Sequence, residues 1–456
     1  MPRLLSLTLL LLLAGGGPAA IHAETEPGTA AADPLRLPET VLPGLASLIR
    51  TALEGSPGML RGRLDLLAAA AHADEQAAPL YPHAGFSLGV DGRQEVRRDL
   101  PGIHYGFSDT YNLSVTQPLY HWDALTNQAR LGRIQQALTE NDFTGARRTL
   151  VLELRRQYTG LILGELDYRQ AETADRRRAI HLQLDEDRAG RGEVPAADLA
   201  DERLAGEEGR LQLEKLAALN RRAREEFAVL LGRTEFAAAD LPTDIPPVPD
   251  WSAAVAPAGP IPAGIVPAAL LRPDGEREAA RLNLEIQRMR LRPTLDLVAG
   301  ISQSDVSYVA NVAARYGVQD RYVGLQVSWN LFDGYASEAG MRAARAELRS
   351  RQQAWDEANL ALHRRQAADW EDLQLAQREL VLAENRYRTT TDRLAAARGQ
   401  MEAGQLSDDA WQQRLADGEQ QHLALLHLRA AQLLRVAEYA LLKQWGSQPA
   451  ARITFP

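Results

Sequence analysis

The 456-residue chain contains no cysteine. This absence excludes a disulfide framework, a thiolate metal site and a cysteine nucleophile. It also excludes a lipid anchor on an N-terminal cysteine of the mature chain. The fold must therefore be held together by packing and hydrogen bonds.

The chain also lacks an excess of basic residues. Its 51 lysines and arginines are outnumbered by 60 aspartates and glutamates, and the net charge is -9 at pH 7. Proteins that bind nucleic acid neutralise its phosphates with a basic surface. We therefore predict no nucleic-acid partner.

Long hydrophobic runs are scarce as well. Residues 4–13 form one apolar run, which follows Arg3 and precedes small residues that end near Ala23. A helix that spans a bilayer needs about 20 apolar residues, so this shorter pattern instead predicts a secretory signal peptide over residues 1–23. If the rest of the chain crosses a membrane, we expect it to do so with strands.

The common catalytic motifs are missing too. No histidine pair has the helical spacing of a zinc site, and neither a P-loop nor a dinucleotide-binding fingerprint occurs. The acidic run 185–187 lies among arginines near a predicted helix end, which is typical of a solvated helix face. We predict that the protein is not an enzyme and binds no cofactor or metal.

What the sequence does contain is a strand followed by a very long helix. In residues 322–334 apolar residues alternate with small or polar ones, the pattern of a strand with two unlike faces. The run 335–401 has no proline and is rich in Ala, Arg, Glu, Gln and Leu, which favour helix. At 1.5 Å per residue this helix is about 100 Å long, far longer than a globular core requires.

The same pattern occurs twice in the chain. Residues 111–120 repeat the pattern of residues 323–332 and precede another proline-free run, 123–189. The matching positions lie about 211 or 212 residues apart, which indicates an internal duplication. We predict a first repeat over 24–233, a Pro-rich connector over 234–267, a second repeat over 268–446 and a C-terminal tail over 447–456.

Each repeat is predicted to hold a short helix, a strand hairpin and a long helical hairpin. The short helices are predicted at 45–77 and 268–290, the strands at 84–90, 105–120, 295–308 and 321–332 with a charged loop at 91–102, and the helical hairpins at 123–231 and 335–445. Each returning helix is about half as long as its outgoing partner, so we expect the short helix to stack end on end with it. Heptad rows, such as Leu373 and Leu380 beside the small residue Ala376, predict coiled-coil packing.

The strands determine the expected assembly. Two strand hairpins in one chain are too few to close a barrel, and an open sheet edge is not tolerated in lipid. Three chains would contribute about twelve strands, enough to close a barrel with an open interior. The predicted fold class is therefore mainly α with membrane β: an internally duplicated chain whose long helical hairpins form an α-barrel and whose four strands contribute to a twelve-stranded trimeric β-barrel.

Several short motifs occur in both repeats or join their elements. They are Ala52-Leu53 with Pro57, Ala269-Leu270 with Pro273, Pro82 and Pro293 before the first strands, the Leu331-Phe332-Asp333-Gly334 exit into the long helix, and the tip glycines Gly192 and Gly404. In order and spacing they resemble the TolC-like outer-membrane efflux protein family over nearly the whole mature chain. The resemblance implies a homotrimer in the outer membrane, with a helical tunnel across the periplasm that an adapter and an inner-membrane transporter engage.

Two groups of candidate site residues follow. The hairpin tips are expected to dock the adapter: Arg191, Gly192, Glu193, Val194, Gly404, Gln405 and Leu406. Their glycines have an alternative role, supplying the left-handed conformation in which many helices end. The resemblance also implies an acidic periplasmic aperture, for which the candidates are Asp198, Asp201, Asp408 and Asp409. Compensation of the helix dipole is the alternative role of these aspartates.

The leading functional hypothesis is a passive exit duct of a tripartite efflux or type I secretion system. A periplasmic helical-hairpin adapter of such a pump is the alternative, although adapters lack a duplicated pair of amphipathic strands. An enzyme or lytic factor on a helical scaffold is disfavoured by the missing site. The cargo can be a drug, a metal ion or a secreted protein, since a polar tunnel suits all three.

Overall fold

The computed structural model describes residues 37–96, 102–237, 241–248, 266–306 and 316–443. The predicted signal peptide, most of the Pro-rich connector and the C-terminal tail lie outside these ranges.

Both repeats have the predicted order of elements. The first contains α1 (Pro38–Val41), α2 (Leu45–Gly55), α3 (Pro57–Ala77), a 3-10 turn (Ala78–Leu80), β1 (His83–Val96), β2 (Ile103–Tyr120), α4 (Ala124–Gly190) and α5 (Ala196–Leu230). The second contains α6 (Ala268–Met289), β3 (Thr294–Val306), β4 (Tyr316–Ser328), α7 (Ala336–Glu402) and α8 (Asp408–Lys443). The prediction of a mainly helical, duplicated chain with four strands is confirmed.

The two long helices, α4 and α7, have 67 residues each, or about 100 Å of helix. Neither contains proline, and ion pairs one turn apart support their exposed faces, as between Glu347 and Arg351 at 2.7 Å. The predicted row of large and small residues is the buried seam of α7. Leu373, Leu380 and Ala376 are all less than 7% exposed.

The short helix and the returning helix of the first repeat stack end on end, as expected. Helix α3 packs along the part of α4 near Gly132, and α5 packs along the part near Gly164. The two meet at Gly232, which follows α5 with φ +72°, and a Cβ there would lie 2.5 Å from the carbonyl oxygen of Gly55. Only glycine permits both this conformation and this approach.

The largest core cluster lies midway along the helices, where the N-terminal helices, α4, the end of α5, segment 241–248 and α8 meet. Tyr158 and Phe227 are fully buried there, and the Tyr158 hydroxyl donates a hydrogen bond to the carbonyl oxygen of Pro43 at 2.7 Å. Arg155 holds Glu39 with two hydrogen bonds of 2.9 and 2.5 Å. These contacts fasten the N-terminal segment and the connector to the long helix.

The predicted boundaries of two strands, β1 and β4, are wrong. Strand β1 continues to Val96 through most of the predicted loop 91–102, because its backbone keeps pairing with β2 as far as Ile103. Backbone pairing does not require apolar side chains, so the polar and charged residues of 91–96 were wrongly predicted to form a loop. Strand β4 runs from Tyr316 to Ser328 rather than from residue 321 to 332, because Tyr316 already pairs with Val306 and Ser328 pairs with Thr294, the first residue of β3.

Candidate functional site: a two-faced sheet and two helical tips

The four strands form one antiparallel sheet in the order β1-β2-β3-β4. Paired residues share a face and successive residues alternate, so the register assigns the two faces. One face carries Ala84, Phe86, Leu88, Val90, Tyr111, Leu113, Val115, Leu295, Leu297, Ala299, Ile301, Val323, Leu325 and Val327. Its side chains are exposed at the edge strand, where Val323 is 79% and Leu325 67% accessible. These apolar residues form a band across all four strands, and the same face also carries Asp109, Gln117, Gln303 and Arg321.

The opposite face is different in chemistry. Apart from Pro118, Val298, Val318 and Tyr322, its described side chains are mainly small or polar: Gly85, Ser87, Gly89, Thr110, Asn112, Ser114, Thr116, Asp296, Gly300, Ser302, Gly324, Gln326 and Ser328. Within the described part of the chain, β1 and β4 each have one strand neighbour and one open edge. The sheet therefore has an apolar side, a polar side and two unpaired edges.

A pair of tight turns joins the sheet to the long helices. Trp122 and Asp123 precede α4, and Gly334 and Tyr335 precede α7, all four with positive φ between 55° and 67°. An indole fastens each junction to the segment before β3. Trp122 donates to the carbonyl oxygen of Pro293 at 2.8 Å, and Trp329 donates to that of Leu291 at 3.0 Å. Strands β2 and β4 run in the same direction, so the two turns lead from them into α4 and α7 at the same end of the sheet.

In the second repeat this junction includes a carboxylate cap. Asp333 accepts hydrogen bonds from the backbone N–H of Ser337 at 2.9 Å and from its hydroxyl. The hydroxyl hydrogen bond, followed by the backbone hydrogen bond and the nearby charge of Arg290, holds the pKa of Asp333 below its usual value.

This shift predicts a pH dependence. Since the pKa of Asp333 is lower in the folded protein, the cap stabilises the fold above the unfolded pKa, and this stabilisation is lost as the pH falls through the folded pKa. We expect Asp333→Asn to flatten the acid limb of a plot of unfolding temperature against pH. Glu338→Gln, one turn on, is the control, and an equal change in both variants would contradict the assignment.

The two helical tips have the same geometry. Gly192 and Gly404 have φ of +75° and +68°. The N–H groups of Glu193 and Gln405 donate to carbonyl oxygens five residues earlier, at 3.0 and 2.8 Å, and those of the glycines to carbonyls three residues earlier. This is the Schellman arrangement, in which a residue with positive φ, usually glycine, ends a helix. Both tip glycines therefore have this helix-ending role.

The remaining tip residues form a small mixed surface. Val194 and Leu406 are half-buried rather than fully exposed, and Arg191 pairs with Glu193 at 2.8 Å. Each tip thus presents one partly accessible apolar side chain beside polar neighbours. Adapter docking at these residues stays a prediction.

The four candidate aperture aspartates all lie near helix starts and are exposed. Asp198 is in the first turn of α5, with Asp201 one turn on, and Asp408 and Asp409 begin α8. There the helix dipole favours a carboxylate, and the Ser407 hydroxyl caps α8 by accepting from Ala410 N–H at 3.3 Å. Whether they form a ring depends on neighbouring copies, so the aperture also stays a prediction.

Sequence reasoning missed the ion pairs that join the two helical hairpins. Between α4 and α8 the ion pairs are Arg156–Glu438 at 2.8 Å and Arg177–Glu419 at 2.6 Å, and a hydrogen bond of 2.9 Å joins Asp167 and His427. Their partners lie hundreds of positions apart, and no local pattern marks them. Among the described helices, none carries an apolar stretch that could span a bilayer.

Comparison with known proteins gives one family match and several matches of fold. The family model described as "Outer membrane efflux protein" matches residues 48–233, and no curated protein matches the sequence. The fold is similar to that of CusC, with a TM-score of 0.67 and 17% identity over 87% of this chain and 91% of that one. It is similar to the outer membrane protein VceC of Vibrio cholerae (0.67, 16% identity, 89% and 97% covered) and to the Campylobacter jejuni CmeC outer membrane channel (0.68, 12% identity, 89% and 87% covered).

These structural likenesses have low identity and show a shared fold. The family match spans most of the first repeat, including β1, β2 and the helical hairpin with its tip at Gly192. The second repeat has the same elements in the same order. The first repeat therefore matches the outer membrane efflux protein family, and the chain shares the fold of solved outer-membrane channels.

Proposed function

We propose that three copies of this chain close a twelve-stranded barrel and act as a passive exit duct. The observation that carries the proposal is the sheet with one apolar face, one polar face and two open edges. In lipid every backbone group needs a partner, so open edges are tolerated only where another strand pairs with them. Pairing β4 of one copy with β1 of the next closes the sheet, with the apolar face toward lipid and the polar face toward water.

The exposed leucines of the helices support the same assembly. Helices α3 and α5 lie on one flank of α4, and α7 packs against α6 and α8. Large apolar residues remain exposed on these outer helices: Leu60, Leu64 and Leu67 on α3, Leu204, Leu211 and Leu219 on α5, and Leu360, Leu375 and Leu382 on α7. Contact between α7 of one copy and α3 and α5 of the next would remove these rows from water.

As a duct the protein performs no catalytic step, and the energy for transport comes from its partners. An inner-membrane transporter delivers cargo, and a periplasmic adapter joins that transporter to the helical tips, in an efflux or type I secretion system. The alternative, that this chain is itself the adapter, assigns no role to a sheet with an apolar face.

The assembly is tested on the purified mature protein. We expect native mass spectrometry to detect a trimer and planar bilayers to show discrete conductance steps after the protein is added. A stable monomer without conductance would contradict the proposal.

The aperture proposal predicts a change in ion selectivity. If Asp198 and Asp201 of three copies surround a narrow mouth, their carboxylates concentrate cations there. We expect Asp198→Asn with Asp201→Asn to reduce the preference for cations in planar-bilayer conductance and to weaken block by polyvalent cations. Glu207→Gln with Glu208→Gln removes equal charge farther from the tip and should change less. Unchanged selectivity in the aspartate variant would leave dipole compensation as their role.

A further inference from the structure

One arginine interrupts the apolar face of the sheet. Arg321 of β4 is exposed and lies opposite Ile301 of β3, and the next residue of β4 on this face is Val323, which is 79% accessible. An arginine on the lipid side of a barrel strand is costly at the bilayer midplane and much less so near the interfaces. Arg321 is therefore expected near an interface, where an anionic partner stabilises it.

In the described part of the chain, the Arg321 side chain makes no ion pair and no hydrogen bond. The acidic positions of its face, Asp109 and Asp305, lie two rows farther along the strands, about 14 Å or more from Arg321 between Cα atoms. The positions of β1 on this face are every second residue from Ala84 to Val96, and none of them is acidic. A neighbouring copy whose β1 pairs with β4 therefore supplies no carboxylate from this face of β1, whatever the register between the two strands.

The position of Arg321 along β4 corresponds to the outer rim of a lipid-facing band. Helices α4 and α7 follow β2 and β4, so the Ser328 end of the sheet is the periplasmic end of the proposed barrel. The strand path from Trp329 to Arg321 is about 26 Å long at about 3.3 Å per residue, or about 20 Å of height at a tilt of about 40°. The apolar band of an outer-membrane barrel is about 25 Å tall and is flanked by aromatic residues. Trp329 fits the periplasmic rim of this band, and the long side chain of Arg321 reaches the outer rim.

The next row of the same face, toward this outer rim, is polar on three strands. It consists of Tyr111 on β2, Gln303 on β3 and Gln319 on β4. The amide nitrogen of Gln319 donates to the Tyr111 hydroxyl at 2.8 Å, so the hydroxyl hydrogen is available for another acceptor. A guanidinium group binds phosphate through paired N–H donors. Arg321 and the Tyr111 hydroxyl thus supply donors at the level where lipid head groups lie.

We propose that Arg321 and the Tyr111–Gln319 pair bind the phosphate group of a lipid in the outer leaflet of the outer membrane. This inference rests on the proposed function, since it takes the apolar face of the sheet to contact lipid. The guanidinium pairs with the phosphate, the Tyr111 hydroxyl donates a further hydrogen bond, and the acyl chains lie along Ile301 and Val323. The charge of Arg321 then has its partner at the rim rather than in the hydrocarbon, and a closed trimer has three such sites.

The test uses the full-length mature trimer in detergent micelles and native mass spectrometry, which counts the lipids bound to each trimer. The probes are lipid A with its phosphates intact and the same lipid after the phosphates have been removed. We expect the phosphorylated lipid to bind about tenfold more tightly, a factor that corresponds to about 1.4 kcal/mol, because its phosphate accepts charge-assisted hydrogen bonds. Arg321→Gln should remove this difference, and Arg321→Lys, which keeps the charge, should retain most of it.

Arg345→Gln, at an exposed position of α7, removes the same charge away from the sheet and should leave the binding of both lipids unchanged. An excess of inorganic phosphate should not displace the lipid, because the acyl chains contribute to its binding. Displacement by phosphate, equal binding of the two lipids to the unchanged trimer, or a difference that persists in Arg321→Gln would overturn this inference alone. The comparison of the two lipids on the unchanged trimer remains decisive if Arg321→Gln does not assemble. A chain that forms no trimer would overturn the proposed function and this inference with it.

Discussion

Replacing Leu325 by Arg is expected to prevent most of the protein from assembling in the outer membrane. Leu325 lies on the apolar face of β4 opposite Leu297 of β3, and it is 67% accessible in the single chain. An arginine on the lipid side of a barrel strand costs about 2 to 4 kcal/mol near the bilayer midplane. Whole proteins are stable by about 5 to 15 kcal/mol, and a trimer bears this cost three times. The measurement is the amount of heat-resistant trimer in isolated outer membranes.

The neighbouring residue supplies a matched control. Gln326 is next along the same strand but points to the polar face, opposite Asp296. Gln326→Arg introduces the same side chain one position away, so it should assemble nearly as well as the unchanged protein. Val327→Arg, on the apolar face, should behave like Leu325→Arg. Equal assembly of the Leu325 and Gln326 variants would contradict the assignment of the lipid-facing side.

Changing Val194 and Leu406 together to Asp is expected to abolish export while leaving the trimer intact. Both side chains lie just after the tip glycines and are half-buried, and the turn itself is held by backbone hydrogen bonds. Their removal therefore costs the fold little, whereas a carboxylate replaces the apolar contact that a docked adapter would make. Export activity and cross-linking to the adapter measure the loss, and the unfolding temperature of the trimer should stay near its original value.

The control for this variant lies outside the tips, at exposed positions of the returning helices. Gln212→Glu with Gln413→Glu adds the same negative charge and leaves every tip residue unchanged. We expect this variant to retain export and cross-linking. Full export by the double Asp variant would remove the case for docking at Val194 and Leu406. A fall in trimer stability instead would assign these two residues to the packing of the tip.

Much of the fold could be predicted because its signals are local and repeated. The spacing of leucine and alanine predicted α7 and its buried seam, and the absence of proline from residue 335 onward predicted its length. The tip at Gly404 was predicted for the same reason: a glycine after a helical run is a local signal for a helix end. The strand boundaries were less accurate. Pairing with β2 decides where β1 ends, and the alternation of apolar and polar residues continues beyond Ser328, where β4 no longer pairs with β3.

The candidate sites were predictable only in part. The tips and their neighbouring aspartates could be located from the ends of the helices. The exposure of Val194 could not, since it depends on how α4 and α5 meet. The grouping of Arg321 with Tyr111 and Gln319 had no sequence signal, because it depends on the register between β2, β3 and β4.

The sequence by itself determined the duplication, the helical rods, the strand hairpins and the helical tips, since each signal is local and occurs in both repeats. Only the tertiary structure decided which residues share a face of the sheet and which ion pairs join the hairpins. His121 lies 2.8 Å from Asp296, 175 positions away, and Arg156 lies 2.8 Å from Glu438, 282 positions away. Such contacts depend on the register between strands and between helices, and register is set by packing over the whole chain rather than by any local pattern.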